Sequence, residues 1–261
     1  GATSGRTTLN GEGLQHQDGH SHILSSTIPN CKSYDPAYGY ELAVIIEHGL
    51  KEMYKDKKNY FYYITVTNER YVQPPKPKGK DVDSNIIKGM HRISKTKKPQ
   101  IRLLGSGAIL NESIRASEML SDFGIESEVW SVSSFNMLRK DGMEVENENV
   151  KNASNKSKES FVTKSFSEHD IPTVASTDYM RAYSEQIRPY INSPYYTLGT
   201  DGFGRSDSRA KLREFFEVDA RSIVMTAAYA LNKEDQLNKK ELQKIYKEIK
   251  VNKNKISPWN T

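Results

Sequence analysis

One cysteine, Cys31, occurs in 261 residues, so no disulfide can form within the chain, and a reducing compartment such as the cytoplasm is expected. A lone thiol is more often a packing residue than a nucleophile, although Cys31 could serve as either. No apolar run approaches the roughly 18 residues of a membrane span, so no membrane segment is expected. The start, GATSGRTTLNG, has no initiator Met, basic region or apolar core. It does not read as a signal peptide, but as a longer polypeptide entered midway. The net charge of +5 comes from lysines scattered over 51–58, 76–98 and 239–255, which read as solvated faces. Basic residues interleaved with stacking aromatics, which nucleic-acid binding would require, form no recognisable module. A basic surface docking an acidic partner remains open.

Histidine is also scarce, with six in the chain, yet three of them crowd into GEGLQHQDGHSH, 11–22. His16, Asp18, His20 and His22 would share one face if this segment were extended. An imidazole serves near neutral pH as acid, base, donor or ligand. The bland reading is a loop of satisfied polar residues. Two sharper readings are a zinc or iron site, and a metal-free loop that positions and protonates an anionic substrate. A metal-dependent hydrolase would need further ligands, for which His48, His91 and His169 are the remaining histidines.

Beyond this loop, Asp35 and Pro36 suit a helix start, and residues 36–55 carry a broad apolar face. NYFYYITVT, 59–67, reads as a buried strand, as a parallel sheet would require. QPPKPKGKDVDS, 73–84, has three prolines and no periodicity, and reads as an interdomain linker. Strands at 100–104, 128–133, 172–176 and 195–198 then alternate with helices at 109–122, 134–140, 178–190, 207–216, 219–232 and 238–249. Residues 142–170, polar and aperiodic, read as a loop. The pattern predicts an α/β protein with mostly parallel sheets flanked by helices.

Two glycine-bearing turns stand out. Gly105-Ser106-Gly107 invites a dinucleotide reading but lacks the third glycine and the acidic residue that should follow, so a tight strand-to-helix turn is the better account. In GTDGFGRSDSR, 199–209, Asp201, Arg205 and Asp207 could hold a charged ligand, or the polar groups could fix the loop at an interface.

Three stretches carry a resemblance. TSGRTTLNGEGLQHQDGHSHILSSTIPNCKSYDPAYGYELAVII, VASTDYMRAYSEQIRPYI and LGTDGFGRSDSRAKLREFFEVDA are similar to the homodimeric bacterial pyruvate dehydrogenase E1 component of the thiamine-diphosphate-dependent transketolase superfamily. The resemblance covers nearly the whole chain. It implies that residues 1–72 end a pyrimidine-binding middle domain, that 73–84 is the linker, and that 85–261 form a complete transketolase-type C-terminal domain. It also implies oxidative decarboxylation of pyruvate, with acetyl transfer to the lipoyl group of the E2 dihydrolipoyl acetyltransferase. His16 matches the family's active-site histidine, while Asp18, His20 and His22 fall where the family lines its substrate channel. Thiamine diphosphate and Mg2+ are implied as cofactors, held by regions outside this sequence, so no cofactor-binding or metal-ligating residue is expected within it. The Gly-Asp-Gly to Asn motif and the cofactor-activating glutamate do not occur here, so the chain alone is expected to be inactive. Where this chain reads ENENVKNASNKS, the family has a Trp-Asn-Met-Leu-His-Pro-like segment. An alternative in a different class is a non-catalytic interaction module derived from E1.

Overall fold

Residues 5–152, 157–252 and 254–261 are described by the structure, a computed structural model of the chain. After a 3-10 turn at Leu14–His16 come α1 (Ser21–Ser25), β1 (Cys31–Tyr34), α2 (Gly39–Leu50) continued by a π turn at Lys51–Lys55, and β2 (Phe61–Ile64). Strands β1 and β2 pair in parallel, Cys31 opposite Phe61 and Tyr34 opposite Ile64. Helix α3 (Val82–Lys88), which begins inside the proline-rich stretch, leads to β3 (Met90–Ser94), β4 (Ile101–Gly105), α4 (Leu110–Asp122), β5 (Ser127–Val132) and α5 (Phe135–Asn152). Then follow α6 (Phe161–Phe166), β6 (Thr173–Ser176), α7 (Ala182–Glu185), β7 (Tyr195–Leu198), α8 (Arg209–Phe216), α9 (Ala220–Lys233) and α10 (Lys239–Glu248).

The second sheet has the order β3-β5-β4-β6-β7, parallel throughout except for the antiparallel edge strand β3. Its central strands are buried on both faces, as parallel strands covered by helices must be. Ile101, Leu103, Val129 and Val174 pack towards α4, α9 and α10. Leu104, Trp130, Val132 and Ala175 pack oppositely, towards α5, α6 and the tyrosines of 179–195. Within that second layer the Arg102 guanidinium donates to Glu128 at 2.5 Å and stacks 4.0 Å over Phe166.

Several expectations are corrected. The helix read over 36–55, α2, begins at Gly39 rather than at Pro36. Buried Glu41 reaches back to accept the backbone N–H groups of Ala37 (2.6 Å) and Tyr38 (3.1 Å), while Asp35 is used elsewhere. The helix read over 178–190 is broken into α7 and a 3-10 turn at Arg188–Tyr190. Pro189 has no N–H to donate, and its ring would crowd the carbonyl four residues earlier. The loop read over 142–170 is largely helical. Helix α5 runs on to Asn152 and α6 follows, with residues 153–156 outside the described part. Helix α1, strand β1, helix α3 and strand β3 are additions to the expected set.

The two sheets are bonded to each other through the end of β1. Asp35 N–H donates to the Ser133 carbonyl at 2.7 Å, and its own carbonyl accepts Gly107 N–H at 3.1 Å. Ser134 Oγ donates to the Ser33 carbonyl at 2.6 Å, and Tyr34 OH to that of Ile87 at 2.9 Å. On the other flank, buried Arg213 joins Glu69, beyond β2, to Glu112 of α4 at 3.1 and 3.3 Å.

Candidate active site

The histidine loop is not extended, so its four polar residues do not share a face. His16 ends the first 3-10 turn, exposed. Asp18 turns back to cap the next helix, accepting the N–H groups of His20 (2.9 Å) and Ser21 (3.0 Å) and the Ser21 hydroxyl. An aspartate so placed satisfies helix-terminal donors that otherwise lack partners. His20 is exposed, its Nε2 3.3 Å from an Arg6 nitrogen. His22 is fully buried, stacked on Tyr183 (4.8 Å) and edge-on to Tyr179 (4.6 Å). Burial pushes its pKa down to about 3, so its imidazole is neutral.

Two distant segments clamp this loop. Gln17 is the hinge pin: its amide oxygen accepts Arg205 N–H at 2.6 Å, and its amide nitrogen donates to the Arg205 carbonyl. Arg6, 3% exposed, donates to the carbonyls of Thr200 (2.7 Å) and Gly202 from behind. Burial lowers its pKa, against the opposing pull of Asp201, Asp18 and Asp178. Asp178 in turn is wrapped by Gly5-Arg6-Thr7, accepting Thr7 N–H (3.0 Å) and Thr7 Oγ1 (2.6 Å). Gly5 adopts φ +71°, and any side chain there would run into the Asp178 carboxyl. Met180 N–H donates to the Gly19 carbonyl, and Gly11 N–H to that of Asp207, both at 3.0 Å.

GTDGFGRSDSR is thus the interface loop of its plainer reading. Arg205 donates to Gly204 and Thr261, and Asp207 accepts the next backbone N–H at 2.6 Å. Asp201 is buried beside Arg181 N–H (3.3 Å), and burial raises its pKa. The three side chains do not converge on one point for a ligand. The Gly105-Ser106-Gly107 turn is likewise filled from within, because the Asp35 carboxyl occupies the space beside Gly107. Cys31 is buried, and burial pushes its thiol up, which suits packing rather than nucleophilic attack.

Arg6, Gln17, Asp178 and Tyr183 are site-building residues that sequence reasoning left without roles. No period links them, and only the lengths of the resembling stretches pointed at them. Among the described residues, no group of three or more His, Cys, Asp or Glu could hold a metal ion. His16, Asp18, His20 and His22 face four different surroundings, so they do not make a cation or diphosphate seat.

A five-stranded, mostly parallel sheet between helical layers, docked on the end of another α/β unit, defines a transketolase-type C-terminal domain. Solved structures agree on the fold. A transketolase from Leishmania mexicana superposes with TM-score 0.66 at 15% identity, covering 89% of this chain and 30% of that one. The inactive β4 tetramer of a split-gene transketolase superposes at 0.59 and 15% identity, covering 84% of this chain and 64% of its own. Residues 89–219 match the transketolase-like C-terminal domain family, and residues 1–74 the pyruvate dehydrogenase E1 component middle domain. The chain belongs to the transketolase-like C-terminal domain family, and the curated relatives it is similar to are pyruvate dehydrogenase E1 components. The E1 component of Pseudomonas aeruginosa is 56% identical over 236 residues, 88% of this chain and 26% of the relative. That of Escherichia coli K12 is 46% identical over 263 residues, 99% of this chain and 29% of the relative. The chain therefore spans less than a third of the length of these relatives. No helix among the described residues is long and apolar enough to cross a membrane.

Proposed function

We propose that this chain supplies the His16-bearing wall of an E1 active site that decarboxylates pyruvate and passes the acetyl unit to the lipoyl group of an E2 acetyltransferase. In this reading residues 1–72 close a pyrimidine-binding domain, 73–84 link, and 85–261 form the C-terminal domain of a cytoplasmic homodimer. The observation that carries it is the exposed His16 at the end of a turn whose next residue, Gln17, is bonded through both its amide atoms to the Arg205 backbone. Fixing the loop beside His16 this firmly while leaving its imidazole exposed suits a group that must meet a substrate in a defined place. An imidazole there can donate to an oxygen on which charge develops. His20, tied to Arg6, and Asp18, capping α1, hold the backbone around it. Thiamine diphosphate and Mg2+ belong to other parts of E1 in this reading. The residues present do not fit their seat, and we derive no step through them.

The test is a full-length E1 carrying this segment, assayed for acetyl transfer to a lipoyl acceptor. His16→Ala should lower the rate by roughly 10²–10³, the usual cost of losing a positioned proton-transfer or oxyanion-stabilising group. Unchanged transfer would sink the assignment. The 261-residue chain alone, given pyruvate, thiamine diphosphate and Mg2+, should show no turnover.

A further inference from the structure

A chain of three buried side chains runs beneath the histidine loop and crosses to the junction of the two sheets. His22 Nε2 lies 3.0 Å from Thr65 Oγ1, and Thr65 Oγ1 lies 2.7 Å from Asp35 Oδ1. All three residues are at most 5% exposed. Thr65 has one hydroxyl proton, and a charged Asp35 can only accept it. The Tyr34 carbonyl, at 3.3 Å, is the weaker acceptor. With Thr65 donating to Asp35, His22 must donate from Nε2, which leaves Nδ1 as the bare nitrogen of the ring. Nδ1 and Asp35 Oδ2 have no hydrogen-bond partner among the described residues.

We propose that His22, Thr65 and Asp35 form a proton relay for the site that carries His16, in which a proton taken up at His22 Nδ1 comes to rest on Asp35. The atoms balance in one concerted shift. Nδ1 gains a proton, Nε2 passes its own to Thr65 Oγ1, and Thr65 passes its hydroxyl proton to Asp35 Oδ1. Afterwards Asp35 is neutral, Thr65 donates to Nε2, and His22 is still neutral but in the Nδ1–H tautomer. The ring thereby changes from acceptor to donor at Nδ1 without remaining an imidazolium.

The surroundings favour that resting place. Burial among Tyr63, Tyr179 and Tyr183 opposes charge on His22, with Asp18 the one carboxyl drawing the other way. Burial, with Asp178 and Glu41 as neighbouring carboxylates, favours the neutral form of Asp35, while Thr65 and Ser106 oppose it. The Tyr71, Tyr179 and Tyr183 phenols that face Asp35 are themselves pushed up by burial and stay protonated.

That the relay serves catalysis rests on the function proposed above. The experiment reads the relay without turnover, so a chain lacking E1 activity would leave its result unchanged. Ring nitrogen shifts of His22 are followed by 15N NMR in the 261-residue chain. We expect Nε2–H at high pH and Nδ1–H at low pH, with a midpoint near the pH 7 at which Asp35 titrates. Thr65→Val should abolish this coupling and Thr65→Ser should restore it, which a purely structural role for Thr65 would not require. Asp35→Asn should hold one tautomer across the range. A His22 that becomes imidazolium between pH 5 and 8, that keeps one tautomer in the wild type, or whose switch survives Thr65→Val overturns the proposal.

Discussion

Gly107 shows how closely single residues decide the junction of the two sheets. Its φ is +50°, which side-chain-bearing residues rarely adopt, and a Cβ there would lie 2.6 Å from Asp35 Oδ2. Gly107→Ala should therefore cost about 1–3 kcal/mol, the usual range for strain at a forbidden backbone conformation. A urea midpoint unchanged by the substitution would show that the Asp35 contact yields without penalty. Arg102 offers a second test. Both it and Glu128 are 2% exposed or less, so Glu128→Ala would strand a buried guanidinium and should destabilise by about 3–5 kcal/mol. At this scale the sequence was only partly readable. The histidine cluster announced itself through composition, but composition did not show that His16 and His20 are exposed while His22 is buried. Asp18 caps through His20 and Ser21, its close neighbours in the chain, whereas His22 turns inward on Thr65, Tyr179 and Tyr183 from distant segments, which no local pattern encodes.

Among the elements, strands β4 to β7 and helices α4, α8, α9 and α10 were legible because apolar period and buried runs coincide there. Helix α10 carries its own start signal. Asn238 accepts the N–H groups of Lys240 (2.9 Å) and Glu241 (3.0 Å), and Glu241 reaches back to Asn238 N–H at 2.8 Å. Asn238→Ala removes half of this reciprocal cap and should cost about 1 kcal/mol. Faster amide exchange confined to 239–248 would locate the loss, and exchange spread over the whole chain would contradict a local cap. Helix α5 was hidden for the opposite reason. Phe135, Leu138 and Gly142 are buried, but beyond them the helix projects a polar, largely exposed segment with no apolar stripe to read. Strand β1 was missed because CKSY is short and half polar. Its Ser33 is buried by bonding across to Ser134 and Asn136 rather than by apolar contact.

For the whole molecule, the exposed apolar face lies on the first α/β unit. Ile45 is fully buried with Tyr34 and Ile86. Its neighbours Ile46, Leu50, Tyr54, Phe61 and Val66 are the ones exposed, beside the open edge of β2. Such a face, next to unpaired strand groups, should drive association at high concentration. Sedimentation should report species larger than a monomer, reduced by Ile46→Glu. The response to pH follows from the buried titratable groups. Burial raises Asp35 to about 7 and Asp178 to about 6, so their contribution to stability is full below about pH 4 and is lost as pH rises through those values. His22 and His91 are lowered by burial to about 3 and about 4, so their contribution is full above about pH 6.5 and is lost as pH falls. The two trends oppose each other between pH 4 and 6.5, and the wild-type curve should be shallow there. Asp35→Asn separates them, because asparagine keeps the shape of the neutral carboxyl and never ionises. Its stability relative to wild type should climb from pH 4 to 7, by at most roughly 4 kcal/mol, since each tenfold change in proton affinity on folding is worth about 1.4 kcal/mol. Urea midpoints at fixed pH values measure the difference. A gap that stays constant with pH would mean that Asp35 ionises in the folded chain as readily as in water.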